Sequence, residues 1–306
     1  MPTPNLCISA ALREVIARAD RFFHEPASAA PLAAFRIGVA SVLLVQALCL
    51  ASDVAALYGP KANVRWDVMD PADGPTSIHP FAPRVRMVAT LLAPLNIAAE
   101  LATQATFAGY AFALVALLFG WKTRPAAIVA WLTHLALNNA AAATIYGVDM
   151  FAHIALFYCV VLPVGAVLSI DARRKPSEPT SGNRLALRVL QLHLCVVYLS
   201  SAIEKGLGVQ WWNGEAVWRA VTLPGLSQVD MTWLATAPWI AVLAGWGTLA
   251  VEAGYAVLIW PTRTRTAMAL ATIGMHAGIG VVMGLTSFSA LMIALTATAF
   301  LVPREP

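Results

Sequence analysis

The sequence predicts an all-α integral membrane protein, a bundle of about eight transmembrane helices preceded by an amphipathic helix at the interface. Three observations predict it. Hydrophobic residues make up 59% of the 306-residue chain and charged residues only 12%, against roughly 25% charged in soluble domains. Apolar runs of about twenty residues recur, the length a helix needs to cross a bilayer and twice what a barrel strand needs. The lysines and arginines cluster in short segments between those runs, a topology signal and not a nucleic-acid footprint. No nucleic-acid partner is expected.

Residues 1–30 form the amphipathic segment. Ile8, Ala11, Leu12, Val15, Ile16, Ala19, Phe22 and Phe23 follow the three-four spacing of one helix face, with Arg13, Arg18 and Arg21 off it. Such a helix lies in the membrane surface with its arginines near anionic lipid. It is not continuously apolar, so no cleavable signal peptide is expected. Residues 31–306 form one transmembrane domain. Spans are expected at 32–50, 97–120, 125–143, 150–168, 185–205, 239–260, 266–284 and 286–302. A re-entrant or amphipathic piece at 85–96 is interrupted by Pro94. The Pro- and Gly-rich loop 51–84 and the tryptophan-rich segment 206–238 connect spans on one face, and the polar linker 171–184 divides the spans into two halves.

Loop charge orients the bundle. With the N-terminus inside, the inner segments carry Arg13, Arg18, Arg21, Lys122, Arg124, Arg173, Arg174, Lys175, Arg184, Arg263, Arg265 and Arg304. The outer ones carry Lys61, Arg65, Arg84, Arg86 and Arg219. This asymmetry puts both termini in the cytoplasm and Lys205 with both loops on the outer face. Cys7, Cys49, Cys159 and Cys195 form no CxxC, so neither a disulfide framework nor a metal site is expected. No GxSxG, Walker loop or dinucleotide fingerprint occurs. Gly274, Gly278, Gly280 and Gly284 read most simply as helix-packing positions.

The candidate site centres on the end of the 185–205 run, where Glu204 and Lys205 precede Gly206, Gly208, Trp211, Trp212, Asn213 and Gly214. Seven residues make two helical turns, so Gln191, Tyr198 and Lys205 share a face. His193 and Glu204 share a neighbouring one. Ionisable groups inside a bilayer are costly and need partners or a wet cavity. Arg36, His134, Asp149, His153, His193, Glu252 and His276, with Asn138 and Asn139, lie in or at the mouths of spans. They are expected either to fix helix packing or to share an outward-facing cavity with Lys205.

These residues carry a resemblance. The chain is similar to the HTTM family, whose membrane domain resembles that of vitamin K-dependent gamma-carboxylase. The family pattern is a tyrosine, a lysine seven positions later, then a tryptophan and a glycine, here Tyr198, Lys205, Trp211 or Trp212, and Gly214. Matching pieces are FRIGVA with Arg36, GWKTRPAAIVAW at 120–131, Asn138–Asn139 to Asp149, LSID at 168–171, and the helix with His276 followed by Phe288. The resemblance implies that Lys205 is a base toward a quinone or hydroquinone. Glu204 stands where the carboxylase has a second lysine. The carboxylase's large extramembrane region has no counterpart, so gamma-carboxylation itself is not expected. Short bacterial members include a membrane protein needed to mature a secreted peptide.

Two functions are therefore expected to compete. One is a carboxylase-like or oxidoreductase-type enzyme of a bacterial inner membrane acting on a quinol-like lipid or exported peptide. Its catalytic candidates are Lys205, Glu204, Tyr198, His276 and Asp149, and its binding candidates are Trp211, Trp212, His193, Asn138, Arg36 and Glu252. The other is a non-catalytic factor presenting a secreted peptide or partner subunit through 51–84 and 206–238. A transporter ranks below both, because no internal repeat is visible.

Overall fold

The structure, a computed structural model, describes residues 4–66, 83–174, 178–225 and 227–303. Most of the loop expected at 51–84, together with Lys175 and Arg304 of the charge count, lies outside the described residues. Among those described, the chain is helical apart from loops and one isolated bridge between Ala27 and Thr180. In order the helices are α1 (Pro4–His24), α2 (Ala30–Leu50), α3 (Val54–Tyr58), α4 (Val85–Leu92), α5 (Ala99–Phe119), α6 (Thr123–Ala140), α7 (Gly147–Val161), α8 (Ser181–Leu207), α9 (Val209–Trp212), α10 (Glu215–Thr222), α11 (Pro238–Leu258), α12 (Thr262–Met283) and α13 (Thr286–Phe300).

Five of them, α2, α5, α8, α11 and α12, are long and apolar enough to cross a membrane, and α7 and α13 are shorter apolar helices. That is the composition of an α-helical membrane protein. The run expected at 150–168 stops early as helix. Pro163 follows Leu162, which is extended as the residue before a proline tends to be. The segment after Pro163 turns back to the end of α5, where the Ile170 and Asp171 amides donate to the Phe119 and Gly120 carbonyls at 3.0 and 3.1 Å.

Packing runs around the bundle as α8–α11–α12–α13–α2–α5–α6–α7, with α13 also touching α7 and α8. Helices α2 and α13 therefore fill the middle, and Leu32, Val39, Leu43 and Leu291 are wholly buried. Helix α1 lies outside this ring. Its Leu12, Val15 and Ile16 are exposed, as a surface helix requires. It is fastened to α8, where Arg188 donates to the Phe22 carbonyl at 2.9 Å and covers the Phe22 ring at 3.8 Å.

One end of the bundle is organised by Arg36 of α2, which is wholly buried. Its guanidinium donates to the carbonyls of Leu117, Leu118, Val164 and Leu168. It thus satisfies the C-terminal end of α5 and the loop after α7 together. Gly120 is required there. Its φ is +66°, and a Cβ would lie 2.3 Å from Ser169 and 2.7 Å from the Arg36 guanidinium. Asp171 completes the clamp, accepting from the Lys122 and Thr123 amides at 2.9 and 2.8 Å and from the Thr123 hydroxyl at 2.8 Å. It caps α6 from a distant loop, and α6 has no side-chain cap of its own.

Slight burial pushes the Asp171 carboxyl up. The hydrogen bonds from Thr123 and Lys122 and the nearby Arg36 charge outweigh that and hold it below the usual carboxylate range. A carboxyl lowered by folding contributes fully above its unfolded value near 3.9. That contribution fades as pH falls through the folded value. Asp171→Ala is expected to cost about 0.5–1 kcal/mol at pH 7, the low end for a lost cap because the site is exposed. Thermal unfolding in detergent should show this gap at pH 6–7 and a narrowing gap below about pH 4. A gap independent of pH would contradict the charge assignment.

Candidate functional site at the C-terminal end of helix α8

Lys205 lies 24 residues along α8 from Ser181, or about 36 Å at 1.5 Å per residue. It is thus at the end of the bundle opposite Arg36. Its ammonium donates to both carboxylate oxygens of Glu252 on α11, at 2.8 and 3.0 Å, and to the Ser201 hydroxyl one turn back. The Lys205 side chain is 24% exposed and that of Glu252 7%. A buried pair of this kind is poor evidence of added stability, because desolvation offsets most of the attraction. It does mean that neither member can be removed alone without stranding the other's charge.

The pair sits in the wall of a cavity of about 410 Å³ enclosed by the helices from α8 to α13, with Phe151 of α7. Small-molecule sites typically measure about 300–1,000 Å³, mostly apolar with a few convergent polar groups. This cavity fits that description. Val217, Val221, Ile279, Val282, Met283 and Met292 supply apolar surface, and Tyr198, Ser201, Lys205, Thr248, Glu252 and His276 the polar groups. A larger, more open hollow of about 900 Å³ lies at the Arg36 end between Leu118, Phe119, Leu168 and Ile170. It lacks such a constellation.

Trp211 covers the ammonium, its ring centre 5.2 Å from Lys205 Nζ. Two glycines set this lid. A Cβ on Gly245 would lie 2.4 Å from the Trp211 carbonyl, and Gly214, at φ +81°, approaches the Val242 amide just as closely. Helix α9 therefore presses directly on α11 backbone. Trp212 faces away. It is exposed and donates its indole N–H to the Gly206 carbonyl at 2.8 Å.

Elsewhere in the lining His276 Nε2 lies 2.9 Å from the Tyr198 hydroxyl. Tyr198 in turn packs on Tyr255 at 4.2 Å between ring centres, and the Tyr255 hydroxyl reaches Thr296 at 3.4 Å. His276 Nδ1 is buried and has no hydrogen-bond partner, although the residue is only 4% exposed and lines the cavity. Buried polar atoms are rarely left so.

The structure therefore brings together Lys205, Tyr198, Trp211, Glu252 and His276. Gln191 shares their face but bonds Arg188 and the Ala299 carbonyl, deeper in the bundle. Glu204 is exposed on the other side of α8, so the carboxylate beside Lys205 is Glu252. His193 pairs with Tyr158. Asp149 accepts from the Tyr146 amide at the start of α7 and borders a small space with His134, Asn138, Tyr58 and Tyr110. Arg36 is in the carbonyl clamp. The polar residues thus divide into separate groups, of which one lines the large cavity. Ser201, Thr248 and Thr296 were not anticipated. Ser201 is four residues before Lys205, a spacing that puts it on the same face.

The uncharacterized protein YitO of Bacillus subtilis (strain 168) is 25% identical to the chain over 195 residues, covering 58% of this chain and 61% of the relative. The chain thus spans about three-fifths of the length of the curated relative it matches. No protein-family model and no solved structure matches the chain.

Glu252→Gln leaves the Lys205 charge without its counterion and is expected to cost about 3 kcal/mol, the low end for a broken buried pair because Lys205 is partly exposed. Lys205→Met should cost about as much. Joining Lys205→Met with Glu252→Leu should recover most of the loss. Thermal unfolding of the three variants measures this. Additive losses in the double variant would show that the two residues are not coupled.

Proposed function

We propose that this protein is an enzyme of a bacterial inner membrane with eight membrane-crossing helices and both termini in the cytoplasm, acting on a flat amphiphile at the outer face. The observation that carries the proposal is the Lys205–Glu252 pair on the wall of an apolar cavity that His276, its Nδ1 buried and unpartnered, also lines. The likeness of Tyr198, Lys205, Trp211 and Gly214 to the HTTM pattern supports the same reading and suggests a hydroquinone-like ring.

The residues fit such a group. Trp211 and Phe288 offer aromatic faces, and polar atoms stand at two sides of an otherwise apolar space. A bound hydroquinone would supply an acidic hydroxyl and two-electron redox chemistry. The chain's own part is electrostatic and protolytic. Lys205, held by Glu252 and Ser201, stabilises negative charge on an oxygen beside it. Glu252, 2.8 Å from the Lys205 nitrogen, is the group placed to exchange a proton with it. His276 holds or accepts a proton at Nδ1, and Tyr198 fixes its ring through Nε2.

A second reading is a non-catalytic factor for an exported peptide. It is favoured by Trp212, Trp233 and Trp239, which are exposed on the segment 206–239. Composition of the purified protein separates the two. Mass spectrometry of organic extracts should find an aromatic amphiphile at about one per chain, and His276→Leu should lower it tenfold or more. A tightly held peptide with no such molecule would favour the second reading.

Lys205→Arg keeps the positive charge, but a guanidinium does not act as a base here. The variant is expected to retain the amphiphile and to lose about a hundred- to ten-thousand-fold in its turnover. Wild-type turnover would reduce Lys205 to a structural counterion. For topology, Ser227→Cys should react with an impermeant maleimide on intact cells, and Glu178→Cys only after lysis. The reverse pattern would invert the bundle.

A further inference from the structure

The glycines of α12 do not all pack against a neighbouring helix. A Cβ on Gly280 would lie 3.0 Å from Ser289, so this glycine is in the α12–α13 interface. A Cβ on Gly274 or Gly278 would meet no atom within 4 Å. The same is true of Gly247, across from them on α11. Small residues on adjacent helices normally let those helices approach each other. Here they border open space.

That space adjoins the cavity. Gly278 of α12 and Ala244 of α11 both line it and both are exposed. With only small side chains at these two positions, the wall between α11 and α12 is thin there. The α11–α12 hairpin is closed at its other end, where a Cβ on Gly254 would contact Leu258 and Met268. At the Lys205 end, α10 lies between the two helices and touches both. The gap below α10 is therefore framed by α10 above, small residues on either side and the closed hairpin beneath. His276, two residues from Gly278, lines the same cavity.

We infer that the cavity opens sideways into the lipid phase through a portal between α11 and α12, edged by Ala244 and Gly278, and that its amphiphile enters there. The inference rests on the proposed amphiphile site and adds its route. The rim carries no charge, so an apolar molecule passes without exposing polar groups to lipid. A water-soluble substrate has no need of such an opening. Gly274 and Gly278 then serve access, where the sequence suggested packing.

The test uses the full chain in proteoliposomes, with its four native cysteines replaced and Met275→Cys placed in the cavity wall. N-pyrenylmaleimide partitions into lipid, and a quaternary-ammonium methanethiosulfonate does not. The lipid-phase reagent should label position 275. Adding Ala244→Leu with Gly278→Leu should slow that labelling at least tenfold, and Gly278→Ala should leave it near the starting rate. If the leucine pair lowers the folded yield, Gly247→Leu with Gly274→Leu crowds the same rim from positions that also face open space. Labelling unaffected by folded leucine variants would overturn the portal and leave the site reading standing, as would equally fast labelling by the charged reagent. Absence of labelling by either reagent would overturn the portal and the accessible cavity together.

Discussion

The ion pair between Lys205 and Glu252 is the constraint on which the rest of the site depends. Placing a charge among apolar helices costs several kcal/mol unless it is matched. The match here joins α8 to α11, since the ammonium reaches both carboxylate oxygens. That junction fixes where Trp211 lies and holds one side of the cavity polar. His276 adds a second polar group to the lining and is tied to Tyr198 through one ring nitrogen. Between them the surface is aliphatic and aromatic.

Two buried cations with different surroundings show how the same physics separates structure from function. Arg36 is surrounded by carbonyls that belong to helix ends and a loop. A rigid fork of five donors suits that task, and its partners have no freedom to exchange. Lys205 has one mobile ammonium, a titratable partner and empty volume beside it. The first arrangement resists change. The second borders the cavity.

Much of the fold was legible. Apolar runs of bilayer length marked the five helices long enough to cross a membrane, because burial of backbone polar groups in lipid leaves helices as the economical solution. The seven-residue spacing placed Tyr198 and Lys205 on one face, and both line the cavity. What local periodicity could not provide was the pairing of helices distant in sequence. Glu252 was visible as the deepest acid, yet its partnership with Lys205 depends on α8 meeting α11. Glu204, adjacent in sequence, was the nearer candidate on paper and points outward. The carbonyl clamp around Arg36 was hidden for a similar reason. Its acceptors are backbone atoms, which leave no trace in side-chain identity. The open glycines of α12 show the same limit, since a small residue reads alike whether it meets a helix or a gap.

What occupies the cavity lined by Lys205 and His276 decides the central question. A density map of the protein purified in lipid nanodiscs, at a resolution that shows side chains, measures this most directly. The expected result is elongated non-protein density with one polar end within hydrogen-bond distance of Lys205 and its body along Val217 and Ile279. A map in which α10, α11 and α12 close together and Met275 and Ile279 fill the space would contradict it.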